Sequence, residues 1–582
     1  MKAADQQRLI IYQVFPRILT NECDNCVPYG SLEQNGSGKL NDFSEILIKS
    51  IKNLGCNAIW FTGAVECATK TDFSEYGIPA DNPNVVKGEA GSPYAIKDYY
   101  DISPAIAVSV PDRMKEFEDA VKRIHREGLK VLIDFVPNHT SRVYHSDVAP
   151  EGAEDFGAKD NISYFFSPSN NYYYITNQQF SPTFPLDREG KEPYIEFPAK
   201  ATGNDCFTAF CSENDWYETV KLNYGHDYSD NSDHFTPIPD TWRKMRDILL
   251  FWCGKGVDGF RCDMVFMVPV QFWNWVIPII KKQYPATIFI GEIYDISQYR
   301  NFLSYGHFDY LYDKVNLYDT LVGIERFNVS AAKLTGCWQA VDDIRNKMLN
   351  FLENHDEVRF GSKEFAGDPT RVIPYLVVSS MISSAPYMIY YGQELGESAT
   401  ENEGFAGYNN RTTIFDYWSY ASMRRWFNHG KCDCGLSTEQ EKWLRSLYAH
   451  ILGMLNKYDA LRIGNLFDLM YVNLQNKDFN PHSTFAFFRH TPEQIHLIIA
   501  NFSTSAILPG IIIPEEAFTA SGLVEGRYEV RDLLADVTAP ISATFNLDFK
   551  AGGKTFVPVG PCSAVVLEIS LPNKQTKNKQ KL

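Results

Sequence analysis

Four short stretches of the sequence place charged or amide side chains at the end of an apolar run. They read VLIDFVPNHT, GFRCD, FIGEIYD and FLENHDEVR, and their polar residues include Asp134, Asn138, His139, Arg261, Asp263, Glu292, Asn354, His355 and Asp356. Alternate residues of a strand face the same side, so Arg261 and Asp263 point together. One such pair alone is typical of a structural ion pair. Four stretches of this kind in one chain indicate a reactive site.

A set of carboxylates of this kind is suited to the hydrolysis of a glycosidic bond. Hydrolysis with retention needs one carboxylate as nucleophile and one carboxyl group as acid, about 5 to 5.5 Å apart. Asp263 and Glu292 end successive strand and helix units, so neighbouring strands can supply that separation. Asp263 is the candidate nucleophile, and Arg261 beside it is expected to keep it ionised. Glu292 is the candidate acid, and then base.

Eight short runs rich in β-branched and aromatic residues must position these side chains. They are Leu9–Phe15, Ala58–Thr62, Val131–Val136, Val257–Cys262, Ile288–Gly291, Phe308–Tyr312, Met348–Glu353 and Met388–Gly392. Helical patterns lie between them, among them Asp112–Glu127, Thr241–Gly254, Val268–Gln283 and Thr370–Ser384. Alternating strands and helices predict a parallel sheet, and eight such units close an α/β barrel of the TIM type. The four polar stretches then lie on one rim, at the carboxyl ends of the strands.

The spacing of these runs predicts the domain organisation. The barrel occupies residues 1–139 and 240–460, and residues 140–239 between its third and fourth strands form an inserted, loop-rich subdomain. Strand-like pieces separated by turn residues, such as LFDLMYV and SAVVLEI, predict an antiparallel β-sandwich over residues 461–572. The lysine-rich residues 573–582 are predicted to be a disordered basic tail.

Composition restricts the class of partner. Over 582 residues, 22% are charged and 44% are hydrophobic, which is typical of a globular protein of several domains. No apolar run approaches the roughly 20 residues of a membrane span, and the first residues lack the apolar core of a signal peptide, so a cytoplasmic location is expected. The net charge of −17 disfavours nucleic acid, while 33 Tyr, 39 Phe and 10 Trp favour a neutral sugar ligand. The twelve cysteines are expected to be buried thiols rather than disulfides or zinc ligands.

The four polar stretches resemble the conserved regions of the α-amylase superfamily, glycoside hydrolase family 13. DFVPNH, GFRCD, GEIYD and ENHD occur in the family's order, and IYQVFPR, LGCNAIWFT, GSPYAIKDYYDISP and YYGQELG extend the resemblance over nearly the whole chain. The chain is similar to intracellular bacterial enzymes of the α-amylase type. The resemblance implies a catalytic (β/α)8 barrel, a subdomain inserted after the third strand and a C-terminal β-sandwich.

The resemblance also implies roles for single residues. It makes Asp263 the nucleophile, Glu292 the acid and base, and Asp356 the stabiliser of the transition state, while Tyr94 stacks on the sugar at the cleaved position. His139, Arg261 and His355 are expected to bind the substrate. No cofactor is required for the chemistry, and Asn138 matches a calcium ligand of the family, so a structural calcium ion is possible.

One departure from the family pattern bears on the substrate. Many α-amylases carry Lys-His three and four residues after the nucleophile, where this chain has Phe266 and Met267. This leaves the chemistry in place but changes the expected binding of the acceptor sugar.

Three functions are therefore compared. The leading one is a retaining hydrolase of α-1,4-glucosidic bonds in starch, glycogen or maltooligosaccharides. The second is an α-glucan transglycosylase or rearranging enzyme, because the covalent intermediate can pass to a sugar as well as to water. The third is a non-catalytic binding protein on the same fold, which the intact set of three carboxylates disfavours.

Overall fold

The computed structural model of the protein describes residues 7–186, 192–538 and 543–571. Eight parallel strands close a barrel in which the first strand pairs with both the second and the eighth. They are β1 (Ile10–Val14), β2 (Ala58–Phe61), β3 (Lys130–Phe135), β4 (Gly259–Cys262), β5 (Ile288–Gly291), β6 (Tyr310–Tyr312), β7 (Met348–Phe351) and β8 (Tyr387–Tyr390). Each strand lies in one of the eight predicted runs or begins within one residue of it, so the predicted barrel is confirmed. The runs are continuous and apolar because both faces of a barrel strand are buried.

The register of the central strands sets the height of the polar residues. Arg261 on β4 lies beside Asp134 on β3 and beside Ile290 on β5. Asp263 follows Arg261 by two residues, and Glu292 follows Ile290 by two residues. The two acidic residues therefore leave adjacent strands at the same level. Backbone hydrogen bonds from Asp263 N to Phe135 O and from Glu292 N to Cys262 O extend the ladder to both residues.

Helices cover the outside of the barrel. The longer ones are Glu45–Asn53, Arg113–Arg126, Asp240–Gly254, Val270–Gln283, Asp319–Phe327, Lys333–Ala340, Ile373–Met381, Ala421–Phe427 and Glu439–Lys457. Three of the predicted helices are found within two residues of their predicted ends. The fourth, predicted over Thr370–Ser384, is shorter: a 3-10 turn over Pro369–Val372 precedes the helix Ile373–Met381. Pro386 lies just before β8, and helical backbone is disfavoured at Ala385 because this residue precedes a proline.

The insertion between β3 and β4 contains only short strand pairs. His139–Ser141 pairs with Thr219–Lys221, Tyr174–Ile175 with Ala199–Lys200, and His226–Asp227 with Ser232–Asp233. A small separate core holds its middle part together and includes Phe180, Phe184, Cys211 and Tyr217. This is the loop-rich subdomain expected after the third strand, and residues 140–239 remain its proposed limits.

The C-terminal part is antiparallel. Six strands form one sheet in the spatial order Asn465–Asp468, Thr484–His490, Ile495–Asn501, Ser563–Ile569, Gly526–Asp532 and Thr544–Phe549, and Gly510–Ile512 pairs with Lys554–Phe556 in a second sheet. The predicted strand LFDLMYV is a strand only to Asp468. The Asp468 side chain accepts a hydrogen bond from Met470 N at 2.6 Å, where the short helix Met470–Asn473 begins.

Three further expectations concern the whole chain. The tail predicted over residues 573–582 lies outside the described residues. All twelve cysteines are free thiols, and seven of them are buried. Within the part of the chain that the structure describes, no helix is both long enough and apolar enough to cross a lipid bilayer.

Candidate active site

A cavity of about 400 Å³ opens at the carboxyl ends of the barrel strands. Five residues expected to act in the site line it, and they are Tyr94, His139, Asp263, Glu292 and Asp356. Each comes from a different connection, after β2, β3, β4, β5 and β7 respectively. Parallel barrels carry their reacting groups on this rim because the connecting loops converge there. The structure therefore brings these five side chains into one place.

A single guanidinium holds the centre of the site. Arg261 is only 1% exposed, and its Nη1 lies 2.7 Å from Asp263 Oδ1 and 3.4 Å from Asp134 Oδ1. Its Nη2 lies 2.7 Å from Glu292 Oε2. The sequence indicated the contact with Asp263 but not the one with Glu292. The signal lay in the register, because Asp263 and Glu292 follow paired residues of adjacent strands by the same two positions.

Burial and the Arg261 guanidinium act in opposite directions on the pKa of Asp263. Burial raises the pKa of Asp263 well above its ordinary value, and the neighbouring carboxylates of Glu292 and Asp134 add to this. Arg261 lowers the pKa of Asp263, but not enough to reverse the shift. The expectation that Arg261 keeps Asp263 ionised stays a prediction, and burial is what the guanidinium has to offset. One buried guanidinium faces three carboxylates, so their excess negative charge opposes the ionisation of Asp263.

The carboxyl group of Glu292 is fixed from two sides. Its Oε2 accepts a hydrogen bond from Met264 N at 2.9 Å, and its Oε1 accepts one from the Tyr294 hydroxyl at 2.5 Å. Met264 has left-handed backbone with φ of 44°, which costs a non-glycine residue about 1 to 2 kcal/mol. This turn directs the Met264 N–H towards Glu292. Tyr294 was missed from the sequence, although it follows Glu292 by two positions.

Asp356 lies at the wall of the cavity next to His355. Its Oδ2 is 3.0 Å from His355 Nε2, and its backbone N donates to Asn354 Oδ1 at 2.8 Å, which turns the chain after β7. Burial opposes ionisation of Asp356, but His355 and then Arg261 outweigh it and lower the pKa of Asp356 to about 2. Asp356 is thus an anion near neutral pH.

His355 is oriented by its neighbours. Gln13 Nε2 lies 2.9 Å from His355 Nδ1, so this contact fixes one edge of the ring. The Nε2 atom is hydrogen-bonded to the hydroxyl of Tyr94, and the two rings stack with centroids 5.2 Å apart. Tyr94 is therefore held against the wall of the cavity, with its hydroxyl already engaged.

His139 is buried at 2% exposure, and its Nδ1 lies 3.1 Å from the Asn138 amide nitrogen. Burial and then the nearby Lys221 ammonium lower the pKa of His139 to about 3. A neutral imidazole at this position can donate a hydrogen bond to a neutral ligand or accept one from it, and it adds no charge to the site.

Asn138 is not one of the residues that line the cavity, and its oxygen is hydrogen-bonded to an ammonium group. Its Oδ1 accepts a hydrogen bond from Lys221 Nζ at 2.5 Å. The same ammonium lies 2.7 Å from Asp205 Oδ1 and 3.1 Å from the backbone oxygen of Met267. An amide oxygen, a carboxylate and a carbonyl would suit calcium, but here they bind one buried ammonium. The site therefore does not fit the calcium ion that the resemblance implied at Asn138.

Phe266 and Met267, the two residues that depart from the family pattern, have different surroundings in the structure. Phe266 is 41% exposed, and its ring centroid lies 6.3 Å from that of Tyr294, which lines the cavity. Met267 contributes its backbone oxygen to Lys221. Phe266 thus lies next to Tyr294, the residue that donates to Glu292, without lining the cavity itself.

Several cavity residues could not be identified from the sequence. They are Lys87, Trp216, Glu218, Tyr294 and Arg411. Lys87 Nζ lies 2.9 Å from Glu218 Oε2, which joins the loop after β2 to the insertion. Tyr294 closely follows β5, whereas the other four lie in long loops without periodic patterning, and only tertiary contacts bring those four to the cavity.

The chain was compared with known proteins. The family model for the α-amylase catalytic domain matches residues 29–450. α-Amylase 3 of Dictyoglomus thermophilum is 26% identical over 328 residues, which are 54% of this chain and 55% of that protein. Cyclomaltodextrin glucanotransferase of Bacillus licheniformis is 24% identical over 440 residues, which are 73% of this chain and 52% of that protein. The chain thus spans about half the length of these curated relatives.

The comparison with solved structures supports the fold. A maltogenic α-amylase of Thermotoga neapolitana superposes with a TM-score of 0.62 at 18% sequence identity, and the superposition covers 98% of this chain and 100% of that one. At this level of identity the likeness concerns the fold alone.

Proposed function

The chain belongs to the α-amylase family, and from this premise we propose that it is a retaining hydrolase of α-1,4-glucosidic bonds in starch, glycogen or maltooligosaccharides. One observation carries the proposal: Arg261 binds Asp263 and Glu292 at the same time, each at 2.7 Å. Adjacent strands lie about 4.8 Å apart, close to the separation of about 5 to 5.5 Å that retention requires. We also propose a cytoplasmic location.

In the first step Asp263 attacks the anomeric carbon. Arg261 holds Asp263 Oδ1, so we assign the attack to Oδ2. Glu292 gives its proton to the glycosidic oxygen as the bond to the leaving sugar breaks, and the remaining sugar becomes an ester of Asp263. Glu292 Oε2 faces the Arg261 guanidinium, which disfavours a proton there, so we assign the proton to Oε1, where the Tyr294 hydroxyl donates to the remaining lone pair.

In the second step Glu292, now a carboxylate, takes a proton from water. The water oxygen attacks the same carbon, and the ester bond to Asp263 breaks. Two inversions at one carbon give net retention. The bond electrons return to the Asp263 carboxylate, and the proton is again on Glu292.

Asp356 and the aromatic wall act on the sugar itself. Positive charge develops at the anomeric carbon in both transition states, and the Asp356 anion stabilises it. The Tyr94 ring, held by His355, offers a flat surface on which the sugar ring can stack. We assign a hydrogen bond to the sugar hydroxyls to His139 and the positioning of both reacting carboxylates to Arg261. Both ring nitrogens of His355 are engaged by Gln13 and Tyr94, so we assign to His355 the positioning of the Tyr94 ring.

A second candidate, an α-glucan transglycosylase, is favoured by one observation. Phe266 presents an exposed aromatic face beside Tyr294, on the side of the cavity where water must attack the ester. An apolar face there can stack a second sugar and displace water. The same covalent intermediate would then pass to a sugar hydroxyl.

Incubation with maltoheptaose separates these functions. We expect shorter maltooligosaccharides and no accumulation of products longer than maltoheptaose, since water is the proposed acceptor. Chromatography of the products over time, beside an Asp263→Asn preparation as control, measures this. Products longer than maltoheptaose, formed together with an equal number of shorter ones and without a net rise in reducing ends, would instead identify a transglycosylase. Unchanged maltoheptaose, starch and pullulan would reject both enzymatic functions.

A further inference from the structure

Four carboxylates gather next to the loop that carries Tyr94, apart from the catalytic cavity. They belong to Glu66 on the strand Val65–Cys67, to Asp98 and Asp101 on the strand Ile96–Ile102, and to Asp147 near the start of the insertion. One oxygen from each lies within 4.8 Å of the oxygens of the others. Glu66, Asp98 and Asp101 are at most 1% exposed, while Asp147 faces the surface.

The strand pairing forces two of these groups together. The antiparallel register places Glu66 directly opposite Asp98. Like charges at facing positions of a strand pair are destabilising, and burial makes the repulsion stronger. A buried arrangement of this kind requires compensation by donors, by protons or by a cation.

The donors of the protein compensate only part of this charge. Asp98 accepts from Tyr100 N, from the Ser146 hydroxyl and from Asp147 N, all at 3.2 Å or less. Asp101 accepts from Ile102 N and is paired with Arg113, whose Nη2 also lies 3.5 Å from Asp147. The nearby Lys97 is paired with Asp81 at 3.0 Å. With all four carboxylates ionised, one guanidinium leaves the cluster an excess of three negative charges.

Glu66 carries the strongest sign of a missing partner. Its Oε2 is fully buried and has no hydrogen-bond partner among the described residues. A buried carboxylate oxygen without a donor is expensive unless it is protonated or bound to a metal ion. Because one carboxylate oxygen of Glu66 lies within 4.8 Å of one oxygen from each of the other three groups, a cation placed among them would be bound by all four.

We propose that Glu66, Asp98, Asp101 and Asp147 bind one calcium ion. Calcium takes six to eight oxygen ligands at about 2.3 to 2.6 Å, so the oxygens bound to one ion lie no more than about 5 Å apart. The four oxygens of the cluster meet this limit, since all lie within 4.8 Å of one another. Magnesium requires a smaller, nearly octahedral shell and retains several waters, which a cluster of four carboxylates suits less well. The exposed side at Asp147 admits the waters that complete a calcium shell.

This ion would lie at a different place from the one that the resemblance implied, where the Lys221 ammonium binds Asn138. It would also connect two loops of the cavity. Tyr94 precedes Asp98 by four residues, and His139 precedes Asp147 by eight. Binding would therefore stabilise the folded protein and both sugar-binding loops together.

Calorimetric titration of the chelator-treated protein with calcium chloride tests the proposal, with thermal unfolding as a second readout. We expect one calcium per chain, a higher Tm with calcium, and affinity at least about tenfold weaker in Glu66→Gln and in Asp147→Asn because each loses one charged ligand. Asp147 is at the surface, so its variant should fold normally. Asp205→Asn, which alters the Lys221 site, should bind calcium like the unmodified protein.

Three results would overturn the proposal, and none of them depends on enzymatic activity. The first is the absence of both binding heat and a change in Tm at about 1 mM calcium, the weak end of protein calcium sites. The second is unchanged affinity in both Glu66→Gln and Asp147→Asn. The third is loss of binding in Asp205→Asn with retention in Glu66→Gln, which would assign the ion to the Asn138 site.

Discussion

Replacing Asp263 by Asn should lower kcat on maltoheptaose by at least about a thousandfold, equivalent to about 4 kcal/mol of lost transition-state stabilisation. An amide is a poor nucleophile, so the covalent ester cannot form. The fold should survive, because Arg261 keeps its contacts with Glu292 and Asp134 and one buried acidic group is removed. Steady-state kinetics with circular dichroism of the same preparation measures both effects.

Asp134→Asn is the matched control for this change. Asp134 also contacts the Arg261 guanidinium, at 3.4 Å, but it takes part in no step of the proposed reaction. We expect a much smaller fall in kcat for this variant. Substantial turnover by a well-folded Asp263→Asn protein, or equal losses in the two variants, would remove Asp263 as the nucleophile.

Replacing Glu292 by Gln should reduce turnover of maltoheptaose as severely, since the leaving sugar then departs without a proton. The first step should recover with α-glucosyl fluoride, because fluoride is a good leaving group and needs little acid assistance. Parallel assays on maltoheptaose and on the fluoride give the ratio that measures this recovery.

Tyr294→Phe is the matched control for Glu292. It removes the hydrogen bond to Glu292 Oε1 while leaving the carboxyl group in place. We expect a moderate loss on maltoheptaose and little change on the fluoride. If the fluoride is no better a substrate than maltoheptaose for Glu292→Gln, then Glu292 is not the acid.

The sequence was most informative where the fold repeats a pattern. Strands β1 to β8 are short apolar runs separated by amphipathic helices, so each could be found locally. Asp263 and Glu292 were placed on one rim because parallel strands share the direction of their carboxyl ends. The link from Arg261 to Glu292 depends on register between strands, which local patterning does not give.

The rest of the site depends on contacts between distant segments. Trp216 and Glu218 reach the cavity from the insertion, and Arg411 reaches it from the loop after β8. Lys221 is 83 residues from Asn138 in sequence, yet its ammonium is bonded to that side chain. The ionisation of Asp263 was predicted from its neighbour Arg261 alone, whereas burial sets the direction in which the pKa of Asp263 shifts. Burial is a property of the completed fold.

The central claim is that Asp263 and Glu292 act by double displacement, and the anomeric form of the first product tests it most directly. Proton NMR during early turnover of maltoheptaose, before the new reducing ends equilibrate, distinguishes the two anomers. Two inversions at the anomeric carbon predict that these reducing ends are released as the α-anomer. Release of the β-anomer first would contradict the account, because it would require direct attack by water without an ester on Asp263.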